Sequence, residues 1–123
     1  MVSEGGSGEK KFDLEERTAR FGEAVTSLAR KIPVSPVTRG TIEQFIAAGT
    51  SVGANWSEAQ DPESRKDFRQ KVGICRKESR EAKFWLRMIV AAVPELKPQA
   101  QALWQEAKEL NLIFGSILRR TES

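Results

Sequence analysis

The stretch that decides the fold is residues 64–93, SRKDFRQKVGICRKESREAKFWLRMIVAAV. Small and apolar residues recur in it at alternating spacings of four and three, the period of one face of an α-helix. Ser64, followed three residues later by Asp67, resembles a capping box and predicts where this helix begins. We therefore predict one long amphipathic helix. Its buried positions are Phe68, Val72, Cys75, Ser79, Ala82, Leu86, Ile89 and Val93.

Three further helices are predicted around this one. The first begins at Leu14 and ends at IPVSP (residues 32–36), because proline lacks a backbone donor and disfavours helix in the residue before it. The second runs from near Thr38 to about Gln60, and the fourth follows the turn at Pro94 and Pro98. The predicted buried face of the first helix is Leu14, Thr18, Phe21, Val25, Leu28 and Ile32. That of the second helix is Phe45, Gly49, Val52, Trp56 and Ala59, and that of the fourth is Leu103, Ala107, Leu110, Phe114 and Ile117.

Short proline-containing links between helices favour antiparallel neighbours. The predicted fold is therefore all-α, an antiparallel up-down-up-down four-helix bundle over residues 12–120. Residues 1–11, rich in glycine, serine and charge, are predicted to be a disordered leader. Gly49 and Gly53 lie inside the second helix, where each costs about 1 kcal/mol of helix propensity relative to alanine. We expect another backbone to approach closely at these positions.

Composition excludes several classes of function. The 123 residues include no histidine and one cysteine, which removes histidine-based acid–base catalysis, a serine-type triad, a disulfide within the chain and most transition-metal sites. No apolar run is long enough to span a bilayer. The sequence thus predicts no cofactor, no metal and no membrane partner, and a cytoplasmic location. Cys75 is expected to be a buried, unactivated thiol.

Positive charge is concentrated on the third helix, although the net charge of the chain is only +3. One reading is a solvated face that maintains solubility. The other is contact with the phosphate backbone of nucleic acid, which needs clustered cations but no base-reading motif. The candidate nucleic-acid-binding residues, all on one stripe of this helix, are Arg65, Arg69, Arg76, Arg80, Lys83 and Arg87.

A second set of residues is polar and lies where the second and third helices should meet. Three readings are open: a carboxylate site for a divalent ion, a network that fixes helix register with Glu58–Lys71 as an ion pair, or contact with a basic residue of a neighbouring subunit. Trp56, Trp85 and Trp104 are interpreted as packing anchors, with the polar stripe offering acceptors for buried indole N–H groups. The set is Ser51, Asn55, Glu58, Asp67, Lys71, Glu78, Glu81 and Trp85.

Three stretches carry a family likeness: TSVGANWSEA (50–59), SRKDFRQKVGICRKESREAKFWLRMI (64–89) and LWQEAKELNLIF (103–114). The combination of TS-x-GAN-x-x-EA, S-x-x-DF and KES-x-E-x-x-FWL resembles the four-helix bundle proteins encoded in intervening sequences of bacterial 23S ribosomal RNA genes. The likeness covers roughly residues 12–118. Where a typical relative has proline after the Thr-Arg pair, this chain has Gly40.

The resemblance implies a small bundle that assembles into a homopentamer and has no established enzymatic activity. A similar fold serves as the accessory protein of diversity-generating retroelements, in which a basic barrel binds nucleic acid and a reverse transcriptase. By this likeness we expect a non-enzymatic oligomeric interaction module, with nucleic acid or a nucleic-acid enzyme as the candidate partner of the basic stripe. The alternatives are a divalent-metal enzyme using Glu58, Glu78 and Glu81, and a structural or selfish-element protein with no ligand.

Overall fold

The computed structural model describes residues 13–122 and consists, over that range, of helices and their links, with no strand. The helices are α1 (Leu14–Ala29), α2 (Arg39–Ala59), α3 (Arg65–Ala92) and α4 (Lys97–Arg120), with a 3-10 turn at Pro94–Leu96. Each helix packs against its neighbours in sequence, and α1 contacts α4 to close the bundle. The predicted all-α four-helix bundle is confirmed, and the predicted leader (1–11) lies outside the described residues.

The core is built from the faces that the periodicity predicts. Its largest fully buried side chains include Phe21, Phe45 and Phe114, one each from α1, α2 and α4. Phe68, Val93 and Ile117 were expected to be buried and are only partly so, although all three pack against the core. They lie close to helix ends, where a neighbouring helix no longer covers them.

The predicted cap of α3 forms in part. The Ser64 hydroxyl accepts a hydrogen bond from the backbone N–H of Asp67 at 3.0 Å. The Asp67 carboxylate accepts from the backbone N–H of Glu63 at 3.2 Å, one residue before the partner that a complete capping box would use. At the start of α2, the Thr38 hydroxyl donates to the Pro33 carbonyl at 2.6 Å and accepts from the Ser35 N–H at 2.9 Å. These bonds fix the conformation of the link between α1 and α2.

Close approach of α1 to α2 explains the glycines of α2. A Cβ on Gly53 would lie 3.3 Å from the Thr18 carbonyl oxygen on α1. A Cβ on Gly49 would lie 2.5 Å from Cγ2 of Val25, so that this side chain occupies the space an alanine would need. The expectation of a close backbone is confirmed at Gly53, whereas at Gly49 the neighbour is a side chain.

An ion pair joins α1 to α4 at the thinnest helix–helix contact of the bundle. The Arg17 guanidinium donates to both carboxylate oxygens of Glu106, at 2.7 and 2.9 Å, and to Glu109 at 2.6 Å. The hydrogen bond to Glu106 is the main reason that the pKa of Arg17 is raised, and partial burial opposes it. Among residues 13–122, no helix is both long and apolar enough to cross a membrane.

Candidate nucleic-acid interface

The predicted basic stripe lies where α3 meets α4. Two of its members bind the end of α4: Arg69 donates to the Leu118 carbonyl at 3.1 Å and to the Thr121 hydroxyl at 3.2 Å, and Arg65 donates to the Thr121 carbonyl. The last carbonyls of a helix lack partners within it and carry its negative dipole end. Arg65 and Arg69 therefore have a structural task that the sequence did not reveal.

The middle of the stripe is joined to α4 by polar contacts. The Asn111 side-chain amide donates to the Arg76 carbonyl at 2.7 Å and lies 3.4 Å from the Ser79 hydroxyl. Beside it, the Arg76 and Arg119 guanidiniums flank Gly115: a Cβ there would lie 3.8 Å from Arg76 Nε and 3.5 Å from Arg119 Nη1. Guanidiniums from two different helices thus approach the same position on α4, where an added Cβ would make only ordinary van der Waals contact with each.

The far part of the stripe surrounds an exposed indole. Lys83 Nζ lies 5.0 Å from the centroid of the Trp104 ring, and Lys108 Nζ lies 5.8 Å from it. Arg87 and Lys97 line the adjoining groove between α3 and α4 together with Trp104. Helix α4 therefore adds cations to a surface that the sequence assigned to α3 alone.

We call this combined surface the basic face. None of the ion pairs recorded between residues 13 and 122 uses one of its cations. Arg76, Arg80 and Arg87 are exposed, so their positive charge faces solvent. The basic face comprises the six predicted residues, Arg65, Arg69, Arg76, Arg80, Lys83 and Arg87, and the three from α4 that sequence reasoning missed, Lys97, Lys108 and Arg119.

The polar residues predicted between α2 and α3 separate into three groups. The Asn55 amide nitrogen donates to the Ser51 carbonyl and hydroxyl, both at 2.9 Å, so this pair is internal to α2. Glu58 and Lys71 form the predicted ion pair at 2.8 Å, which is confirmed. That hydrogen bond raises the pKa of Lys71, and the nearby negative charge of Asp67 raises it further. The pair lies near the α2–α3 turn and is largely exposed on the Glu58 side.

The third group consists of Glu78, Glu81 and Trp85. Partial burial and, secondarily, the neighbouring Glu81 charge raise the pKa of Glu78, while Lys77 lowers it. Trp85 stacks edge-on against Phe84 with ring centroids 4.9 Å apart. The indole nitrogen of Trp85 is buried without a hydrogen-bond partner among the described residues. The expectation that the polar stripe would satisfy this N–H is therefore wrong at Trp85.

The hypothesis of a divalent-metal site is not supported by any cluster of ligands in the part of the chain that the structure describes. No group of three or more Asp, Glu, Cys or His side chains between residues 13 and 122 is placed to hold an ion. Of the three carboxylates that this reading invoked, Glu58 pairs with Lys71 and is separated from Glu78 and Glu81 along the α2–α3 seam.

The cysteine and two of the tryptophans differ in how well the sequence predicted them. Cys75 is buried, its thiol donates weakly to the Val52 carbonyl at 3.4 Å, and burial raises its pKa to about 12, which confirms an unactivated thiol. Trp56 is a packing anchor, as predicted, against Phe68 and Phe114. Trp104 departs from this pattern: it is 38% exposed. Lys108 four residues later was the one sequence signal of its cationic setting.

Comparison with known structures supports the same fold. A crystal structure of a protein of unknown function from the S23 ribosomal protein family of Bacteroides thetaiotaomicron superposes with a TM-score of 0.74 and 26% identity, over 85% of this chain and 97% of that one. No curated protein sequence gives a significant match. The family model described as "23S rRNA-intervening sequence protein" matches residues 10–116. With most of its length matched, the chain belongs to the 23S rRNA-intervening sequence protein family.

Proposed function

We propose that this protein is a non-enzymatic, self-assembling interaction module whose basic face binds the phosphate backbone of nucleic acid. The observation that carries the proposal is the set of cations along the α3–α4 seam that form no ion pair with a carboxylate among residues 13–122. From Arg65 to Arg87 this seam is roughly 33 Å long at 1.5 Å per residue, enough to follow several phosphates. Cations without a carboxylate partner can exchange bound counterions for phosphates, which is the main source of affinity in sequence-independent binding.

Contact across two helices strengthens this reading over a merely solvated face. Arg76 and Arg119 come from different helices and lie together over Gly115. Their charges repel each other, which is unfavourable for folding and is relieved when an anion binds between them.

Self-assembly is supported by the surface that α3 presents near Trp85. Phe84 is 51% exposed and lies against the Trp85 ring, whose N–H lacks an acceptor among residues 13–122. An exposed aromatic side chain of this size is suited to contact with a second copy of the chain, which would cover it. We propose a homopentamer, the number that the family resemblance implies.

The binding test is the affinity for a short mixed RNA as a function of salt. We expect log affinity to fall linearly with log salt, and the double variant Arg76→Glu/Arg80→Glu to lose at least about tenfold in affinity at about 50 mM salt, with a slope shallower by about two. Arg30→Glu/Arg39→Glu is the matched control, since it changes the same charge at exposed sites outside the basic face. Equal losses in the two variants, or binding that ignores salt, would refute the basic-face proposal.

The assembly test is solution mass by light scattering. We expect a species close to five times the 13.7 kDa of one chain, and a smaller one for Phe84→Asp. Leu112→Asp is the control, because Leu112 is also exposed, at 61%, but lies on α4. A wild-type monomer would end the self-assembly proposal and leave the binding proposal to its own test.

A further inference from the structure

We propose that the indole of Trp104 is a stacking platform for an unpaired base, so that the ligand of the basic face is single-stranded nucleic acid. This inference rests on the proposed function, because the basic face must hold the phosphates while the indole holds a base. It adds what the cations alone do not specify: the strandedness of the ligand and the residue that recognises it.

The first argument is the exposure of Trp104. Trp56 is 9% exposed and packs among core rings, whereas Trp104 is 38% exposed at the edge of an open groove. The floor of this groove includes Leu86, Val90 and Ala100, and its volume is about 520 Å³. A large aromatic ring exposed in a groove with an apolar floor offers a flat surface on which another planar group can stack.

The second argument is what surrounds the ring. The Lys83 and Lys108 ammoniums lie 5.0 and 5.8 Å from its centroid, and Arg87 and Lys97 line the same groove. Lysine stems are flexible, so each ammonium can leave the ring for a phosphate when a base takes its place. An aromatic ring within a cationic groove is the combination that proteins use to bind single strands.

The third argument concerns strandedness. In a duplex both faces of an internal base are covered by its neighbours in the stack, so the indole could reach only the backbone. An unpaired base exposes a face to the ring, and the side-chain amides of Gln101 and Gln105, which line the groove, supply donors and acceptors for its edge. An acidic peptide would satisfy the cations equally well, but its carboxylates offer the indole no ring to stack on.

The experiment compares three labelled ligands of roughly 12 nucleotides by fluorescence anisotropy at low salt: a single strand, its duplex, and an abasic strand with the same phosphates. The unmodified protein should bind the single strand about tenfold more tightly than the abasic strand, the increment of one stacked base. Trp104→Ala should remove this difference and leave duplex and abasic affinities within about twofold of the wild type. Trp104→Phe should retain most of it, and Leu112→Ala should change nothing.

The outcomes separate the two proposals. Equal wild-type affinity for the single and abasic strands would overturn the stacking platform while the basic face stands, and this comparison needs no variant. Failure to bind any of the three ligands would remove the proposed function and the inference with it. If polyglutamate competes as well as the single strand at matched charge, the surface is a general polyanion site, and the stacking platform is overturned as well.

Discussion

The α1–α2 pair and the α3–α4 pair are both antiparallel, yet they meet in different ways. At α1–α2, Gly49 and Gly53 let the helices approach until backbone and Val25 side-chain atoms fill the space. At α3–α4 small residues such as Ala82 and Ala107 are also buried, but longer polar side chains meet at the surface, with Asn111 bonded to the Arg76 carbonyl and Lys83 over Trp104. The two pairs therefore differ in what they present to solvent: α3–α4 leaves charges and a ring at the surface. The candidate site follows that seam.

The largest effect should come from adding one methyl group to the tight seam. Gly49→Ala places a Cβ 2.5 Å from Cγ2 of Val25, and overpacking of this kind should outweigh the gain in helix propensity, for a net loss of about 2 kcal/mol in the free energy of unfolding. Urea denaturation measures it.

The matched control is Gly73→Ala on α3, where a Cβ would meet nothing within 4 Å. This variant should gain roughly 0.5–1 kcal/mol. Gly49→Ala as stable as the wild type would mean that Val25 yields freely and that the α1–α2 seam is no tighter than its counterpart.

The next effect concerns the border between the two pairs, where Cys75 of α3 donates to Val52 of α2. Burial raises the thiol pKa from 9.0 to about 12, so the unfolded chain loses this proton at a lower pH than the folded one. Below pH 9 the thiol is protonated in both states and does not change the free energy of unfolding. As the pH rises towards 12, the unfolded chain releases the proton and the folded chain does not, so the free energy of unfolding falls progressively. At pH 10 the loss is about 1.4 kcal/mol.

Urea denaturation at pH 8 and pH 10, on the wild type and on Cys75→Ala, isolates this contribution, because the variant has no thiol to ionise. The wild type should lose about 1.4 kcal/mol more than the variant between the two values. Parallel losses would show that water reaches the thiol and that the two helix pairs separate more easily than the structure indicates.

The smallest predicted effect is a difference in stability between variants at two positions of the basic face. Arg69→Met removes the bonds to the Leu118 carbonyl and the Thr121 hydroxyl at the end of α4 and should cost about 1 kcal/mol, because both bonds are charge-assisted and lie at the negative end of a helix. Arg76→Met, on the same face, should leave the midpoint of thermal unfolding unchanged or slightly raised. If both variants lower it equally, the whole face is structural and its cations are not free for a ligand.

Prediction from sequence succeeded where the pattern is local to one helix or lies beside the turn between two helices. The faces around Phe21, Phe45 and Phe114 follow from helical periodicity, and Glu58–Lys71 follows from the turn between two helices. Proline positions set the links, because proline constrains the backbone regardless of what packs against it. These features needed no knowledge of how distant helices align.

Features that depend on the register of α3 against α4 could not be predicted. Nothing in the sequence places Arg119 and Arg76 around the same glycine, or Lys83 over Trp104, because each pair joins residues of two helices at a distance from the link between them. The same limit applies to Trp85: its N–H was expected to meet the polar stripe, and only the packed helices show that no described acceptor reaches it. Register is decided by the packing of the whole bundle, not by any one helix.

The ion pairs of Arg17 with Glu106 and Glu109 have a consequence for transient local opening of the bundle. They close the bundle where the helices touch least, so at that edge ion pairs supplement the smallest area of packing. Added salt weakens a partly exposed ion pair and leaves buried apolar contacts almost unaffected. Transient opening of this edge is thus tuned by ionic strength: amide hydrogen exchange should quicken in α1 as salt is added, while α2 and α3 keep their protection.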